Sequence, residues 1–88
     1  MSNLNPQTPQ LFTISSSDTL TITNARSISV LASGGTATIV NAQTQTMTIP
    51  DATTIEMQAD SGNTLSTIEV TAASAAYVVM IGGNGIIS

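Results

Sequence analysis

Five carboxylates, Asp18, Asp51, Glu56, Asp60 and Glu69, hold most of the chemical potential of this 88-residue sequence, and Arg26 is its one cation. Two carboxylates placed on either side of a sugar could cleave a glycosidic bond. Asp60, Ser61 and Asn63 offer oxygen ligands of the kind a calcium ion takes. Context opposes both readings. Asp18, Asp51 and Asp60 fall in turn phrases, where Asp serves local backbone hydrogen bonds. Glu56 and Glu69 fall at outward positions of segments whose other face is apolar. The Asp60 loop lacks a second nearby carboxylate, and Gly62 fits an ordinary turn with positive φ.

The missing residue types are as informative. Cys, His, Lys and Trp are absent, and there is one Phe and one Tyr. No thiol nucleophile, His base, Schiff-base Lys, zinc site or disulfide framework can be built, so no enzymatic role, metal or cofactor is expected. One cation against a net charge of −4 excludes nucleic-acid binding driven by phosphate neutralisation. No run of about 18 apolar residues reads as a membrane helix. The first ten residues have neither the basic nor the apolar region of a signal peptide, so synthesis and assembly in the cytoplasm, or release without a cleaved signal, are expected.

Thr and Ser make up 26 of the 88 residues, and Thr-x-Thr recurs at Thr19-Thr21-Thr23, Thr36-Thr38 and Thr44-Thr46-Thr48. A flat threonine array could order water or receive a glycan. The unequal spacing between these groups argues against stacking in register. Thr is also the ordinary residue of a solvent-facing strand position.

The elements that must position these groups are strands, because the apolar period is two almost throughout. Residues 1–10, with two prolines, read as an extended arm, and residues 11–88 as a single β domain. Strands are expected at Leu11–Ile14, Thr19–Thr23, Ser27–Ala32, Thr36–Val40, Thr46–Ile49, Thr54–Ala59, Thr64–Thr71 and Ala76–Ile81. Leu65 and Ile68 are three apart, which suggests a bulge near Ser66-Thr67. Gly82-Gly83-Asn84-Gly85 closes the last strand and leaves an apolar Ile86-Ile87 tail. Seven to eight short strands with turns every 8–12 residues predict an all-β fold, a small antiparallel sandwich or barrel.

Tyr77, Val79 and Ile81 should alternate with polar residues if their strand showed one face to water, yet Val78 and Met80 between them are apolar too. Either both faces of this strand are covered within the domain or, as the short chain favours, one face packs on a partner. Phe12 and the arm are lesser interface candidates. Ala72–Ala76 would permit close approach to a neighbour or form a tight crossover. Charged residues are only 7% of the chain, against about 25% in typical soluble domains. A neutral, hydrogen-bonding surface suits packing against other protein, where an unpaired buried charge costs several kcal/mol. Two aromatics and no cross-link also leave a small core, which oligomerisation would supplement.

Ser27-Ile28-Ser29-Val30-Leu31-Ala32, Gly34-Gly35-Thr36-Ala37-Thr38 and Ala59 to Ile68 resemble the phrasing of small tailed-phage virion proteins. The resemblance spans roughly residues 20 to 81 and rests on strand-and-turn style. It implies a homo-oligomer, with a trimer among the options, seated on other capsid or virion protein as a decoration or stabilising subunit. A tail or fibre component is the neighbouring alternative. A small glycan- or ice-binding module is the alternative from another class.

Overall fold

The computed structural model describes residues 7–88. Residues 7–9 are exposed and outside any strand, and the rest of the expected arm lies outside the described residues. Nine strands follow: β1 (Gln10–Ser15), β2 (Thr19–Thr23), β3 (Ser27–Ser33), β4 (Ala37–Val40), β5 (Thr46–Ile49), β6 (Thr54–Gln58), β7 (Ile68–Ala72), β8 (Ala75–Ile81) and β9 (Asn84–Ile87). They form two antiparallel sheets packed face to face. Sheet A has the order β1-β8-β3-β6, and sheet B has the order β5-β4-β7-β2-β9. Of the all-β sandwich or barrel expected, the sandwich is the observed fold.

The pairing has a simple logic. β1 pairs with β8, β2 with β7, β3 with β6 and β4 with β5, as in one long hairpin turned at β4–β5. Curling that hairpin so that β3 meets β8 and β4 meets β7 closes it into two four-stranded sheets. This is the double-sheet jelly roll, with β9 added beside β2.

All connections except β4–β5 therefore cross between the sheets. The Asp60–Asn63 turn is not a hairpin, because β6 lies in sheet A and β7 in sheet B. The expected strand start at Thr64 and the bulge at Ser66-Thr67 give way to a crossover of residues 59–67. The phase slip has a plain cause: Leu65 is not a strand residue. Its side chain packs on the core from the crossover, and its amide donates to the Ala25 carbonyl at 2.7 Å. The alanine-rich lead-in is a tight crossover, with only Ala73 and Ser74 between β7 and β8.

The ninth strand corrects the expectation of seven to eight. Ile86 and Ile87 are not a tail. Asn84–Ile87 pairs along β2, and Thr19 and Ser88 exchange two further main-chain hydrogen bonds at 2.9 and 3.1 Å.

The core is aliphatic. Ile14, Leu20, Ile22, Val30, Val70 and Met80 are among its fully buried side chains, and no polar or charged residue is buried among those described. Alternation delivers these side chains: in β2, Leu20 and Ile22 point inward between half-buried threonines, and in β3, Ile28, Val30 and Ala32 do the same. Burial at about 25 cal/mol per Å² makes this face the main source of stability.

Candidate interaction surface

The carboxylates do not converge. Asp18 Oδ2 accepts the Ser15 amide at 2.9 Å, and Asp51 Oδ1 accepts the Gly34 amide at 2.9 Å. In the Asp60 turn the Asn63 amide donates to the Asp60 carbonyl at 2.9 Å, with Gly62 at φ 82°. Glu56 is exposed on sheet A and Glu69 is exposed on sheet B, on opposite faces of the sandwich. Among the described residues no three acidic side chains come together as a metal cluster.

What the fold does assemble is an apolar outer face on sheet A. Along β8, Ala76, Val78 and Met80 enter the core while Tyr77 and Val79 face out, 46% and 41% exposed, with Ile81 half-buried. Antiparallel register sets the neighbours. Leu11 of β1 lies opposite Val79, which lies opposite Ser29 of β3, which lies opposite Glu56 of β6. In the adjoining row, Thr13, Tyr77, Leu31 and Thr54 stand side by side. Leu11, Val79, Tyr77 and Leu31 thus form one patch running from the β1 edge across β8 to β3, and Leu11 is its most exposed member at 75%. Glu56, at the far edge, is the one charged residue on an outward strand position of this sheet.

Of the four interface candidates, Tyr77, Val79 and Ile81 share this surface and Phe12 does not. Phe12 faces inward, half-buried, and its ring lies over Gly85 of β9, closing that side of the sandwich. Leu11 takes the outward place. Two consecutive apolar residues leave the inward phase ambiguous, and Ile14 resolves it: Phe12 lies two positions before that buried residue and shares its face.

Sheet B presents a different outer face. Thr48, Thr38, Thr71 and Thr19 lie opposite one another across β5, β4, β7 and β2. The next row runs Thr46, Val40, Glu69, Thr21 and Ile86. The expectation that the threonine groups would not stack in register is overturned for the row Thr48-Thr38-Thr71-Thr19. Unequal loop lengths hide the alignment in sequence, because Thr38 and Thr48 belong to a hairpin while Thr19 and Thr71 meet through the curled pairing. Thr36 and Thr44 fall outside the strands and take no part.

The flank opposite Phe12 is less filled. Between the facing edges β5 and β6, Ile39, Met47, Ile55, Met57 and Ile68 line a groove of about 490 Å³. Set beside known proteins, the chain matches no family description, no curated protein and no solved structure.

Proposed function

We propose that this chain is a non-enzymatic structural subunit of a virion, a capsid decoration or stabilising protein that works by packing the outer face of sheet A against neighbouring protein. One observation carries the reading: Leu11, Tyr77 and Val79 stand together, exposed, on a sheet face whose strands carry a single charged residue at the far edge. Contiguous exposed apolar surface marks interaction sites more often than idle surface. Docked interfaces concentrate aromatic and aliphatic side chains at their centre and exclude charge. The jelly roll adds support by analogy, because viral capsid domains use it, although the same fold also serves lectins and cupins.

Sedimentation at micromolar concentration tests the interface. The wild type is expected to sediment above the 8.9 kDa monomer, and Val79→Asp is expected to lower its sedimenting mass with an unchanged circular dichroism spectrum. A wild type and a Val79→Asp variant that both sediment as the monomer would sink the reading. Immunogold electron microscopy of native particles tests the virion assignment, with label on the head expected and unlabelled particles counting against it.

A second reading is favoured by the row Thr48-Thr38-Thr71-Thr19. Four hydroxyl-and-methyl side chains repeat at the interstrand spacing of about 4.8 Å. That suits a binding module for a periodic hydroxylated surface, a glycan or ice. Glycan-array binding or thermal hysteresis lost in Thr38→Val would favour it, and silence in both assays would remove it.

A further inference from the structure

The β1 edge of sheet A carries an inference beyond the face. Asp18 engages both main-chain groups of Ser15: its amide donates to the Ser15 carbonyl at 3.0 Å, and its carboxylate accepts the Ser15 N–H at 2.9 Å. Main-chain groups alternate sides along a strand, so Leu11 and Thr13 point the way Ser15 does, away from β8. The far side of the sheet agrees. Ala32 exchanges main-chain hydrogen bonds with Thr53 and Ala52, so Ile28, Val30 and Ala32 bond towards β6 and Leu31 bonds towards Tyr77. That leaves Ala76, Val78 and Met80 to bond Ile14, Phe12 and Gln10. Among the described residues nothing pairs with the amides and carbonyls of Leu11 and Thr13, which therefore line an open edge, and Asp18 caps one end of it.

We infer that this edge pairs with β1 of a second copy of the chain, antiparallel about a two-fold axis, so that sheet A runs on through both copies as eight strands. Exposed edges are normally guarded by Lys, Pro, inward charge, bulges or shortness. β1 has no charged residue and no proline, and at six residues it is the longest of the four edge strands. The other edges suit the role less. A two-fold pairing of β6 that uses all its outward main-chain groups, those of Thr54, Glu56 and Gln58, sets Glu56 opposite its own copy, a like-charge pair. β5 and β9 have four residues each, and β9 contains Gly85, which weakens a strand.

The β1 edge is self-complementary in one register. Leu11 pairs with Thr13 of the partner subunit, and Thr13 with Leu11 of the partner subunit, each pair exchanging two N–H···O=C bonds. Phe12 then sits on the two-fold axis beside Phe12 of the partner subunit, as an inward aromatic pair at a close, non-hydrogen-bonded position. On the outer face, Leu11 and Val79 continue into Thr13 and Tyr77 of the partner subunit. Pairing therefore doubles the apolar surface available to a third protein. The edge stands apart from the face reading, because a face can dock without any edge pairing.

Sedimentation and amide exchange on the full chain test the inference. Val79→Asp, with its face contact removed, is expected at twice the monomer mass, and in the wild type the Leu11 and Thr13 amides are expected to slow in exchange as protein concentration rises. Thr13→Pro removes one outward N–H from an edge position, where proline is tolerated, and is expected to halve the sedimenting mass, to the monomer when combined with Val79→Asp. Should Thr13→Pro fail to fold, amide exchange on the unmodified chain decides. A dimer whose Leu11 and Thr13 amides exchange freely overturns the inference, as does a wild type that stays monomeric at millimolar concentration. Val79→Asp separates the two readings. A dimer that survives Val79→Asp and is lost in Thr13→Pro supports the edge against self-association through the face. The reverse overturns the edge and leaves the face reading in place.

Discussion

The Phe12 ring rests on Gly85 so closely that a Cβ at that glycine would stand 2.6 Å from Phe12 Cζ. This contact joins β1 of sheet A to β9 of sheet B and closes one flank of the sandwich. Gly85→Ala is expected to lift the ring and cost about 1–3 kcal/mol, the usual range for overpacking. Phe12→Ala should cost about 2 kcal/mol, below the usual range for a fully buried Phe because the ring is half-buried. Urea denaturation reads both. If ring displacement is the shared mechanism, the double variant costs less than the two single costs added together.

Val78 and Val79 are identical neighbours in opposite surroundings, since one is 1% exposed and the other 41%. Val78→Ala removes two buried methyl groups beside Phe12 and Val30 on the core side of sheet A and is expected to cost about 2 kcal/mol. Val79→Ala should change monomer stability by less than about 0.5 kcal/mol. Its effect belongs to association and is read as a raised dissociation constant in sedimentation. Equal thermal destabilisation by the two substitutions would show that Val79 is covered within the subunit.

Much of this architecture is legible in the residues, because strand alternation is a local signal. Leu20 and Ile22 between threonines, or Ile28 and Val30 between Ser and Leu, announce both the strand and its inner face. Sheet membership is not local. Asp60-Ser61-Gly62-Asn63 has the chemistry of a hairpin turn, yet the strands on either side bond to different sheets, and only the curled pairing decides that. The same non-locality concealed the threonine row, since Thr19 and Thr71 are far apart in sequence and adjacent in space. Ile86 and Ile87 gave no strand signal because Gly85 breaks the pattern, although that glycine is there to make room for Phe12. Tyr77 and Val79 could be read as a surface from sequence because their strand lacks polar alternation. Leu11 could not, because its outward position depends on the phase of β1.

Asn41 organises the one hairpin. Its Oδ1 accepts the Gln43 and Gln45 amides at 3.0 and 2.9 Å, and its Nδ2 donates to Gln45 Oε1 at 2.9 Å. Asn41→Ala leaves two loop amides to water and is expected to cost about 1 kcal/mol. In the same loop Thr44 sits at φ 61°, a region costly for a β-branched residue. Thr44→Gly should therefore stabilise by about 0.5–1 kcal/mol. Denaturant midpoints of the two variants moving in opposite directions would check both assignments. A Thr44→Gly variant less stable than wild type would mean that the Thr44 hydroxyl, bonded to the Gln43 carbonyl at 2.6 Å, outweighs the backbone strain.

Asp51 ties together two connections at one end of the sandwich. Its carboxylate accepts the Gly34 amide across 17 residues of sequence, joining the β3–β4 turn to the β5–β6 turn. Next to it the Ala52 amide donates to the Ala32 carbonyl at 3.0 Å, extending the β3–β6 ladder into the same corner. Both partners of the carboxylate bond are exposed, so water replaces part of what is lost. Asp51→Ala is expected to cost about 0.5–1.5 kcal/mol, and Asp51→Asn, which keeps an acceptor in place, about half of that. Amide exchange separates the local effect from the global one: Gly34 should lose protection in Asp51→Ala while Val30 and Val78 in the core keep theirs until global unfolding. Unchanged Gly34 exchange in Asp51→Ala would show that the turn holds its shape without the carboxylate.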